Sequence, residues 1–547
     1  MPRVSYTITA NTEAGSFIRE GIWQEAWQEQ EAGAFRALTV RVVEELPEGH
    51  LEAVTAELPL PLEEGELIFM NGYQSATYSP EWHALSRIPG ADRLPSPIAK
   101  RLGKSSAGDY HFTEYPNKKG ITQGVSYCYF RKGDRFRLVA SLNEEPGYTR
   151  FSYHAAAHRL IISRDCAGLK VDGAYEALSL FFAVGTEDEV FDAWFERLGI
   201  KPQARPRLSG YDSWNSHYEE IDEKKMLKDL AGAAEVLKPG DLFLIDDGWA
   251  PAAGDWLFPD EKKFPCGMKA MADAIHERGF KAGLWLAPFA VCKRSALYKE
   301  HPKWMLYHGQ EPWYGGDNWG GFYSLDFDEP GAREYLKRVF ERVIREWGFD
   351  VIKLDFLFAA APYGSARESR AARMIRAMRF LRELCGDRIM IAGAVPLMPA
   401  FGIADYCRVS GDVSVDWDDS PWMRYTARER ISTKHAVENM IFRRQLDGRA
   451  FGNAADSFFL RDKGLKLDSR QKKILAFGAA LFGSLRLCSD DMGEYSDAKR
   501  ESWDKLRHIA EKASPARVEH EFSPKGKEKL TVTYCLEGKE YHYAIYE

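Results

Sequence analysis

The eight cysteines of this 547-residue chain contain no Cys-x-x-Cys pair and no other metal-ligand spacing. Several of them lie in apolar runs, which favours buried free thiols over disulfide bonds. Histidine offers little more, because His154 and His158 are the only pair at helical separation and no third ligand accompanies them. We interpret that pair as structural and predict no bound metal.

The sequence also lacks a GxGxxG loop after a strand, a P-loop and a GxSxG elbow, so we expect no nucleotide cofactor. The formal net charge is −7, and the 74 Lys and Arg residues are spread along the chain, which argues against a nucleic-acid partner. No window approaches about 18 uninterrupted apolar residues, and the first residues lack a signal-peptide pattern. We therefore expect a soluble, cytoplasmic protein without a membrane partner.

The length predicts several domains, because a single hydrophobic core stops growing at roughly 250–300 residues. Residues 1–203 contain short alternating or β-branched runs between turn residues, which is typical of a β-sandwich. The proline-containing segment Lys201–Pro206 is interpreted as a linker. Strand-like and helix-like segments alternate over residues 204–512, which predicts a (β/α)₈ barrel, and residues 513–547 predict a small C-terminal β-sheet domain.

Eight candidate strands support the barrel, with helical periodicity clearest over Gly331–Trp347 and Ser365–Leu384. The predicted strands are Leu208–Ser213, Leu242–Asp246, Lys281–Ala287, Asp350–Asp355, Arg388–Gly393, Tyr406–Ser410, Arg449–Asn453 and Ser484–Cys488. Barrel enzymes carry their catalytic groups at the C-terminal ends of such strands. The residues that end these strands are therefore the first candidates for a site.

One charged pair, Lys353 and Asp355, interrupts the otherwise apolar run Val351–Phe358. A carboxylate in a strand that is otherwise suited to burial is costly unless it faces a polar pocket. We interpret Asp355 as a site residue. The alternative is a structural ion pair on an exposed strand face.

Other predicted strands also end in polar or aromatic residues, which a barrel would bring together at one end. These residues are Trp214 after strand one, Asp246 and Asp247 after strand two, Trp285 on strand three and Asp412 after strand six. Tryptophan rings suit the apolar face of a sugar, but they suit a barrel core equally well. Both interpretations of Trp214 and Trp285 stay open at this point.

Paired carboxylates without a metal or nucleotide motif indicate glycoside hydrolysis, in which one carboxylate is the nucleophile and the other carboxyl group is the acid. Asp355 and Asp412 are the natural pair. A retaining mechanism requires the two carboxyl groups to lie about 5 Å apart. Strands four and six can supply this separation across one sugar ring.

Five segments carry a family resemblance in their order and spacing: Leu244–Trp249, Gly254–Trp256, Leu284–Phe289, Lys353–Phe356 and Arg408–Asp412. Together they resemble the α-galactosidases of glycoside hydrolase family 36, the melibiase family of clan D. The resemblance implies three parts over the full chain: an N-terminal β-supersandwich, a catalytic TIM barrel and a small C-terminal β domain. It implies no cofactor.

The resemblance also implies roles for individual residues. Asp355 would be the nucleophile and Asp412 the general acid and base, while Asp246 and Asp247 would accept hydrogen bonds from the 4- and 6-hydroxyls of galactose. Lys353 would bind ring hydroxyls and favour the ionised form of Asp355. The remaining implied substrate-binding residues are Arg408, Trp214, Trp285, Trp256, Asp255 and Gly393.

Three segments depart from the family pattern. Strand five ends in the small residues Ala392–Pro396, near the position of the sugar 2-substituent, and strand seven contains Gly452–Asp456 in place of the family's usual sequence. The segment Asn71–Ser75 resembles a family motif, but Ala76 replaces its final tryptophan. We hypothesise that this loop reaches a pocket from another subunit.

The leading prediction is a retaining, exo-acting α-galactosidase that acts on small α-galactosides. An α-N-acetylgalactosaminidase or an α-galactosyl transferase on the same scaffold is the alternative, because the strand-five lining could admit a bulkier group. A sugar-binding protein without turnover is disfavoured, since binding alone needs neither Asp355 nor Asp412. A metal-dependent barrel hydrolase is disfavoured by the lack of strand-end histidine clusters. Homo-oligomerisation is left open.

Overall fold

The computed structural model describes residues 3–24, 35–88, 118–203, 205–418, 428–514, 516–523 and 527–546. These residues form an antiparallel N-terminal sheet, a closed parallel barrel of eight strands and a three-stranded C-terminal sheet. The predicted fold class is thereby confirmed. Within the predicted linker Lys201–Pro206, Ala204 lies outside the described residues.

The N-terminal sheet has eleven strands, and every pairing between them is antiparallel. Its strands are Arg3–Thr12, Gly15–Gln24, Arg36–Pro59, Leu67–Met70, Glu81–Trp82, Ile121–Val125, Tyr127–Lys132, Arg135–Ser141, Thr149–His154, Arg159–Arg164 and Lys170–Thr186. Buried aromatic residues on this sheet pack against the barrel, with Phe69 and Tyr129 stacked at 4.5 Å. The sheet and the barrel therefore share one continuous apolar core.

The barrel closes in chain order, so each strand pairs with its sequence neighbours. Its strands are Leu208–Asp212, Leu242–Ile245, Lys281–Leu286, Val351–Leu354, Ile389–Ala392, Tyr406–Arg408, Gly452–Phe458 and Leu485–Cys488. Seven lie where the sequence predicts them. The seventh lies further along the chain than the predicted Arg449–Asn453, because its small residues lack the β-branched pattern that marks a strand.

Helices follow most barrel strands and cover the outside of the barrel. The longer ones are Glu223–Ala233, Gly267–Glu277, Pro330–Glu341, Arg370–Cys385, Thr433–Phe442, Ser469–Phe482 and Asp497–Lys512, and the short ones are Trp214–His217, Ala296–Glu300 and Leu397–Ala400. The helix Glu187–Arg197 precedes the barrel and packs on the N-terminal sheet. The helix predicted from Ser365 begins later, because the Ser369 hydroxyl accepts the Ala372 N–H at 3.0 Å and caps it. Within the described ranges, no helix has the length and apolar character needed to cross a bilayer.

A long excursion separates barrel strands three and four. It contains a three-stranded sheet of Ala290–Cys292, Tyr314–Gly316 and Phe322–Ser324, and a two-stranded ribbon of Tyr307–His308 and Glu311–Pro312. The turn between the last two strands of the sheet carries Trp319. This excursion brings an indole to the C-terminal end of the barrel.

The C-terminal sheet contains Arg517–Phe522, Glu528–Leu536 and Lys539–Tyr546. Its His520 is fully buried and lies 3.0 Å from Glu81 of the N-terminal sheet and 3.0 Å from Glu528. Burial opposes the charged imidazole, but the two carboxylates raise the pKa of His520 to about 9. A buried ion pair thus joins the first and last parts of the chain.

Candidate active site

A cavity of about 440 Å³ lies at the C-terminal ends of the barrel strands. Eight of the predicted site residues line it: Trp214, Asp246, Asp247, Trp285, Lys353, Asp355, Arg408 and Asp412. Because consecutive barrel strands are parallel and in register, their polar end residues converge here from separate parts of the chain. The cavity is rich in carboxylates.

Lys353 lies between two aspartates, which we call the lysine cluster: Asp212, Asp246 and Lys353. The Lys353 ammonium lies 2.6 Å from Asp246 Oδ2 and 3.1 Å from Asp212 Oδ2, and at most 6% of each side chain is exposed. Burial raises the pKa of Asp246, an effect that Lys353 opposes and Asp212 reinforces. Lys353 thus pairs with these aspartates, whereas the sequence analysis assigned it to Asp355.

Asp212 is a site neighbour that the sequence analysis missed. It ends the first barrel strand, and its Oδ1 accepts the Trp214 N–H at 2.9 Å. The signal was present, since a carboxylate ends this strand as it does strands two and four. The predicted site residues begin only at Trp214, beyond this strand end, and so omit Asp212.

Asp247 lies on the tight turn after strand two. Its Oδ2 accepts the indole N–H of Trp319 at 2.8 Å, and its Oδ1 accepts the Gly248 N–H at 2.7 Å. Gly248 has φ +110°, and a Cβ there would lie 2.5 Å from the Glu219 carbonyl oxygen, so the turn requires glycine. Burial raises the pKa of Asp247 to about 6, although the Trp319 hydrogen bond favours the ionised form.

Asp355 directly follows the fourth barrel strand and is half-buried. Its Oδ1 accepts the Phe356 N–H at 2.8 Å, and its Oδ2 lies 3.4 Å from the Trp285 indole nitrogen. Gly393 lies beside it, since a Cβ on Gly393 would be 3.0 Å from Asp355 Oδ1. The absent side chain of Gly393 leaves room for this carboxylate, but Gly393 is not among the residues that line the cavity.

Arg408 joins two aspartates, which we call the arginine cluster: Arg408, Asp412 and Asp456. Its Nη2 lies 3.0 Å from Asp412 Oδ1, and its Nη1 lies 2.9 Å from Asp456 Oδ1. The Asp412 side chain is 39% exposed, whereas the other two are buried. Burial opposes the guanidinium charge, but Asp456 and then Asp412 raise the pKa of Arg408.

Asp456 was not predicted as a site residue. It lies in the second half of barrel strand seven, and the sequence analysis ended that strand at Asn453. Burial raises the pKa of Asp456 to about 6, against the attraction of Arg408. A backbone φ of +49° at this aspartate is visible only in the structure.

The loop that follows Asn71 lines the cavity with Gln74 and Ala76. The Ser75 N–H donates to the Val395 carbonyl at 2.9 Å, which ties the loop to the end of strand five. The loop therefore reaches the cavity of its own chain, so no second subunit is needed to bring it there. This finding replaces the hypothesis drawn from the sequence.

Two residues that the resemblance implied as substrate contacts lie behind the cavity wall. Trp256 is 1% exposed and packs edge-on against Trp285, with ring centroids 5.9 Å apart. The Asp255 carboxylate accepts the Ala296 and Leu297 N–H groups, each at 2.9 Å, and so caps a short helix. Their positions favour structural roles over contact with a ligand in the cavity.

The described residues hold no group of three or more His, Cys, Asp or Glu side chains with metal-binding geometry. The arrangement instead offers carboxylates with different surroundings. Asp355 is half-buried beside an indole, and Asp412 is paired and partly exposed. Such a pair can divide nucleophilic and proton-transfer roles between its members.

The family profile named Melibiase matches residues 196–384. Over 169 residues the chain is 32% identical to α-galactosidase Mel36A of Lactobacillus acidophilus, an alignment that covers 29% of this chain and 21% of that protein. The matches to the first curated relatives thus span only about a fifth to a quarter of their lengths.

Solved structures match over more of the chain. TtGalA, an α-galactosidase from Thermus thermophilus in complex with stachyose, is 27% identical with a TM-score of 0.70, covering 86% of this chain and 96% of that one. The same protein in complex with p-nitrophenyl α-D-galactopyranoside superposes with a TM-score of 0.72 at 24% identity, covering 98% and 99%. The second match concerns the fold, which agrees from the N-terminal sheet to the C-terminal sheet.

Proposed function

Because the chain belongs to the melibiase family of glycoside hydrolases, family 36, we propose that it hydrolyses terminal α-linked D-galactose from small galactosides with retention of configuration. The observation that carries this proposal is the single cavity in which Asp355, Asp412, Asp246 and Asp247 meet. Two of these carboxylates suit bond cleavage, and two suit recognition of hydroxyl groups.

In the proposed first step, the Asp355 carboxylate attacks the anomeric carbon while the bond from this carbon to the leaving oxygen breaks. Asp412 donates its proton to that oxygen, and a galactosyl-aspartate forms. Water then attacks the same carbon, gives its proton to Asp412 and displaces Asp355. The Phe356 N–H, 2.8 Å from Asp355 Oδ1, supports a fixed orientation of the nucleophile.

The exposure of Asp412 supports its role in this scheme. A general acid and base must reach both the leaving group and an incoming water, and the 39% exposed Asp412 side chain is open to the cavity. Asp355 is held by the Phe356 N–H and the Trp285 indole and has no arginine or lysine within ion-pair distance in the described chain. This contrast favours Asp355 as the attacking group.

Asp246 and Asp247 are proposed to accept hydrogen bonds from the 4- and 6-hydroxyls, where galactose differs from glucose. A charged acceptor makes a missing donor costly, so a sugar without the matching hydroxyl is rejected. Trp319 holds Asp247 through its indole N–H, and Lys353 holds Asp246. Both acceptors are therefore oriented before a sugar arrives.

The test uses aryl α-galactoside, aryl α-N-acetylgalactosaminide and aryl α-glucoside with wild type, Asp355→Ala and a matched control, Asp273→Ala. Asp273 is a half-exposed aspartate in a surface pair with Lys269, so its removal reports the cost of the same substitution away from the cavity. We expect phenol release from the galactoside by wild type and control and none above background by Asp355→Ala. Release from none of the three sugars by wild type would contradict the proposal.

The N-acetyl sugar distinguishes the proposed α-galactosidase from its main alternative, an α-N-acetylgalactosaminidase. Ala394 lines the cavity beside Gly393, so the wall near the proposed 2-position is built from small residues. Faster release from the N-acetyl sugar than from galactoside would assign the chain as an α-N-acetylgalactosaminidase. Proton NMR of the first-formed product tests retention, because α-galactose appears first only in a retaining reaction.

A further inference from the structure

Asp456 holds Asp412 at two points. Asp456 Oδ1 lies 2.9 Å from Arg408 Nη1, and the other end of that guanidinium lies 3.0 Å from Asp412 Oδ1. Asp456 Oδ2 accepts the N–H of Val413 at 2.7 Å, and Val413 directly follows Asp412. One buried carboxylate therefore constrains both the side chain of Asp412 and its backbone.

The backbone of strand seven is distorted where Asp456 lies. Its pairing with strand eight shifts register between Ala454 and Ser457, and Asp456 adopts φ +49°. A left-handed conformation is strained for a residue other than glycine, and a local register shift re-aims a side chain. Here the distorted segment directs the carboxylate into the cavity, toward Arg408.

We propose that Asp456 is a positioning residue that holds Asp412 in the orientation from which it donates its proton to the leaving group. This inference rests on the proposed function, because it assigns Asp456 a task only if Asp412 is the acid. Asp456 acts through Arg408 and Val413 and does not itself react.

The surroundings of Asp456 fix its position. Arg408 from strand six and Lys353 from strand four face Asp456, while strand eight contributes the apolar Leu485 and Leu487 beneath it. Because Asp456 and Asp412 share Arg408, the position of Asp456 determines where the guanidinium holds Asp412.

Burial raises the pKa of Asp456 to about 6, and the nearby Asp412 adds to this effect. Without Asp456, Arg408 would pair with Asp412 alone, and the Val413 N–H would lose its acceptor. Asp412 could then turn away from the position that a leaving group occupies.

The test compares Asp456→Asn with Asp405→Asn. Asp405 makes the same kind of contacts at the other end of the barrel, since its Oδ2 lies 2.8 Å from Arg382 Nη1 and accepts the Met390 N–H at 2.8 Å. The measurement is kcat and KM for p-nitrophenyl α-galactoside, whose leaving group needs little protonation, and for methyl α-galactoside, whose leaving group needs a proton.

For Asp456→Asn we expect about a 10- to 100-fold loss of kcat with methyl α-galactoside, because a misplaced Asp412 protonates the leaving oxygen poorly. The nitrophenyl substrate should lose less than about threefold, and KM should change little for either substrate, since Asp456 makes no proposed contact with the sugar. Asp405→Asn should leave the ratio of the two substrates as in wild type.

Equal losses on both substrates, or no loss on either, would overturn the inference. If Asp456→Asn does not fold, Asp456→Glu decides, because it keeps the charge and displaces the carboxylate. A loss confined to methyl α-galactoside then supports the inference, and equal losses overturn it. Wild type that cleaves neither galactoside would instead contradict the proposed function, so the two failures are distinguishable.

Discussion

The lysine cluster and the arginine cluster have the same composition, one cation between two aspartates, but they differ in exposure. All three side chains of the lysine cluster are at most 6% exposed, whereas Asp412 of the arginine cluster is 39% exposed. A nearly buried carboxylate exchanges protons with solvent less readily than a partly exposed one. The lysine cluster, which is closed to solvent, therefore suits fixed recognition of hydroxyl groups. The arginine cluster, which is open to solvent, suits proton transfer.

The largest effect should come from Asp412→Asn in the open cluster. Loss of the proton donor should lower kcat/KM for methyl α-galactoside by about 10²- to 10⁴-fold, the usual contribution of a general acid. The loss on p-nitrophenyl α-galactoside should be much smaller. Equal losses on the two substrates would mean that Asp412 is not the proton donor. The proposed difference between the two clusters would then be wrong.

Replacing the cation of each cluster by methionine compares the structural roles of the two clusters. Lys353→Met leaves the carboxylates of Asp212 and Asp246 buried without a cation to pair with, which should lower the free energy of unfolding by about 3–5 kcal/mol. Arg408→Met should cost less, because Asp412 can turn to water and only Asp456 stays buried. Urea denaturation followed by tryptophan fluorescence measures both.

Lys269→Met is the matched control for these two variants, since its partner Asp273 is solvent-exposed and such surface pairs contribute little. If Lys353→Met proves no more destabilising than this control, the lysine cluster is not a buried charged network. If Arg408→Met proves the more destabilising of the two, the open cluster carries the greater structural role.

The sequence was sufficient to predict the barrel and most of the carboxylates, because parallel strands place their terminal residues at one end. Asp246, Asp247 and Asp355 follow strands rich in apolar and β-branched residues, so their positions could be read from the pattern. Asp456 could not, since strand seven begins Gly-Asn-Ala-Ala and gives no β pattern. Its approach to Arg408 depends on a bulge and a left-handed residue.

The sequence also did not predict which residues from distant segments of the chain meet at the cavity. Trp319 reaches Asp247 from a turn in the excursion after strand three, whose path has no periodicity to predict it. Gln74 comes from the N-terminal sheet domain. The pairing of Lys353 with Asp212 and Asp246 follows from barrel closure, which decides which of several nearby carboxylates a lysine meets.

The pH dependence of the free energy of unfolding measures the cost of burying Asp247, which directly follows Asp246 of the lysine cluster. Its pKa is about 6 in the folded protein and about 3.9 when unfolded, so the native state binds more protons between these values. The free energy of unfolding should therefore fall as pH rises from about 4 to about 7, by about 3 kcal/mol from this group. Asp247→Asn should remove that part of the slope.

The measurement is urea denaturation of wild type and Asp247→Asn at several pH values within this window. Asp456, whose pKa is also about 6, titrates in both proteins, so the difference between their slopes isolates Asp247. Parallel slopes would mean that Asp247 stays ionised through its Trp319 hydrogen bond. Burial of the Asp247 carboxylate would then cost less stability than its low exposure indicates.

The smallest effect should come from the loop beside the open cluster. Gln74 lines the cavity and is 4% exposed, and its Oε1 has no hydrogen-bond partner among the described residues. A buried acceptor in this state costs stability unless a ligand hydroxyl reaches it. We expect Gln74→Ala to raise KM for α-galactoside about three- to tenfold, the value of one hydrogen bond, without lowering the free energy of unfolding. An unchanged KM would show that substrate binding is confined to the barrel strands, and a loss of stability would give Gln74 a structural role.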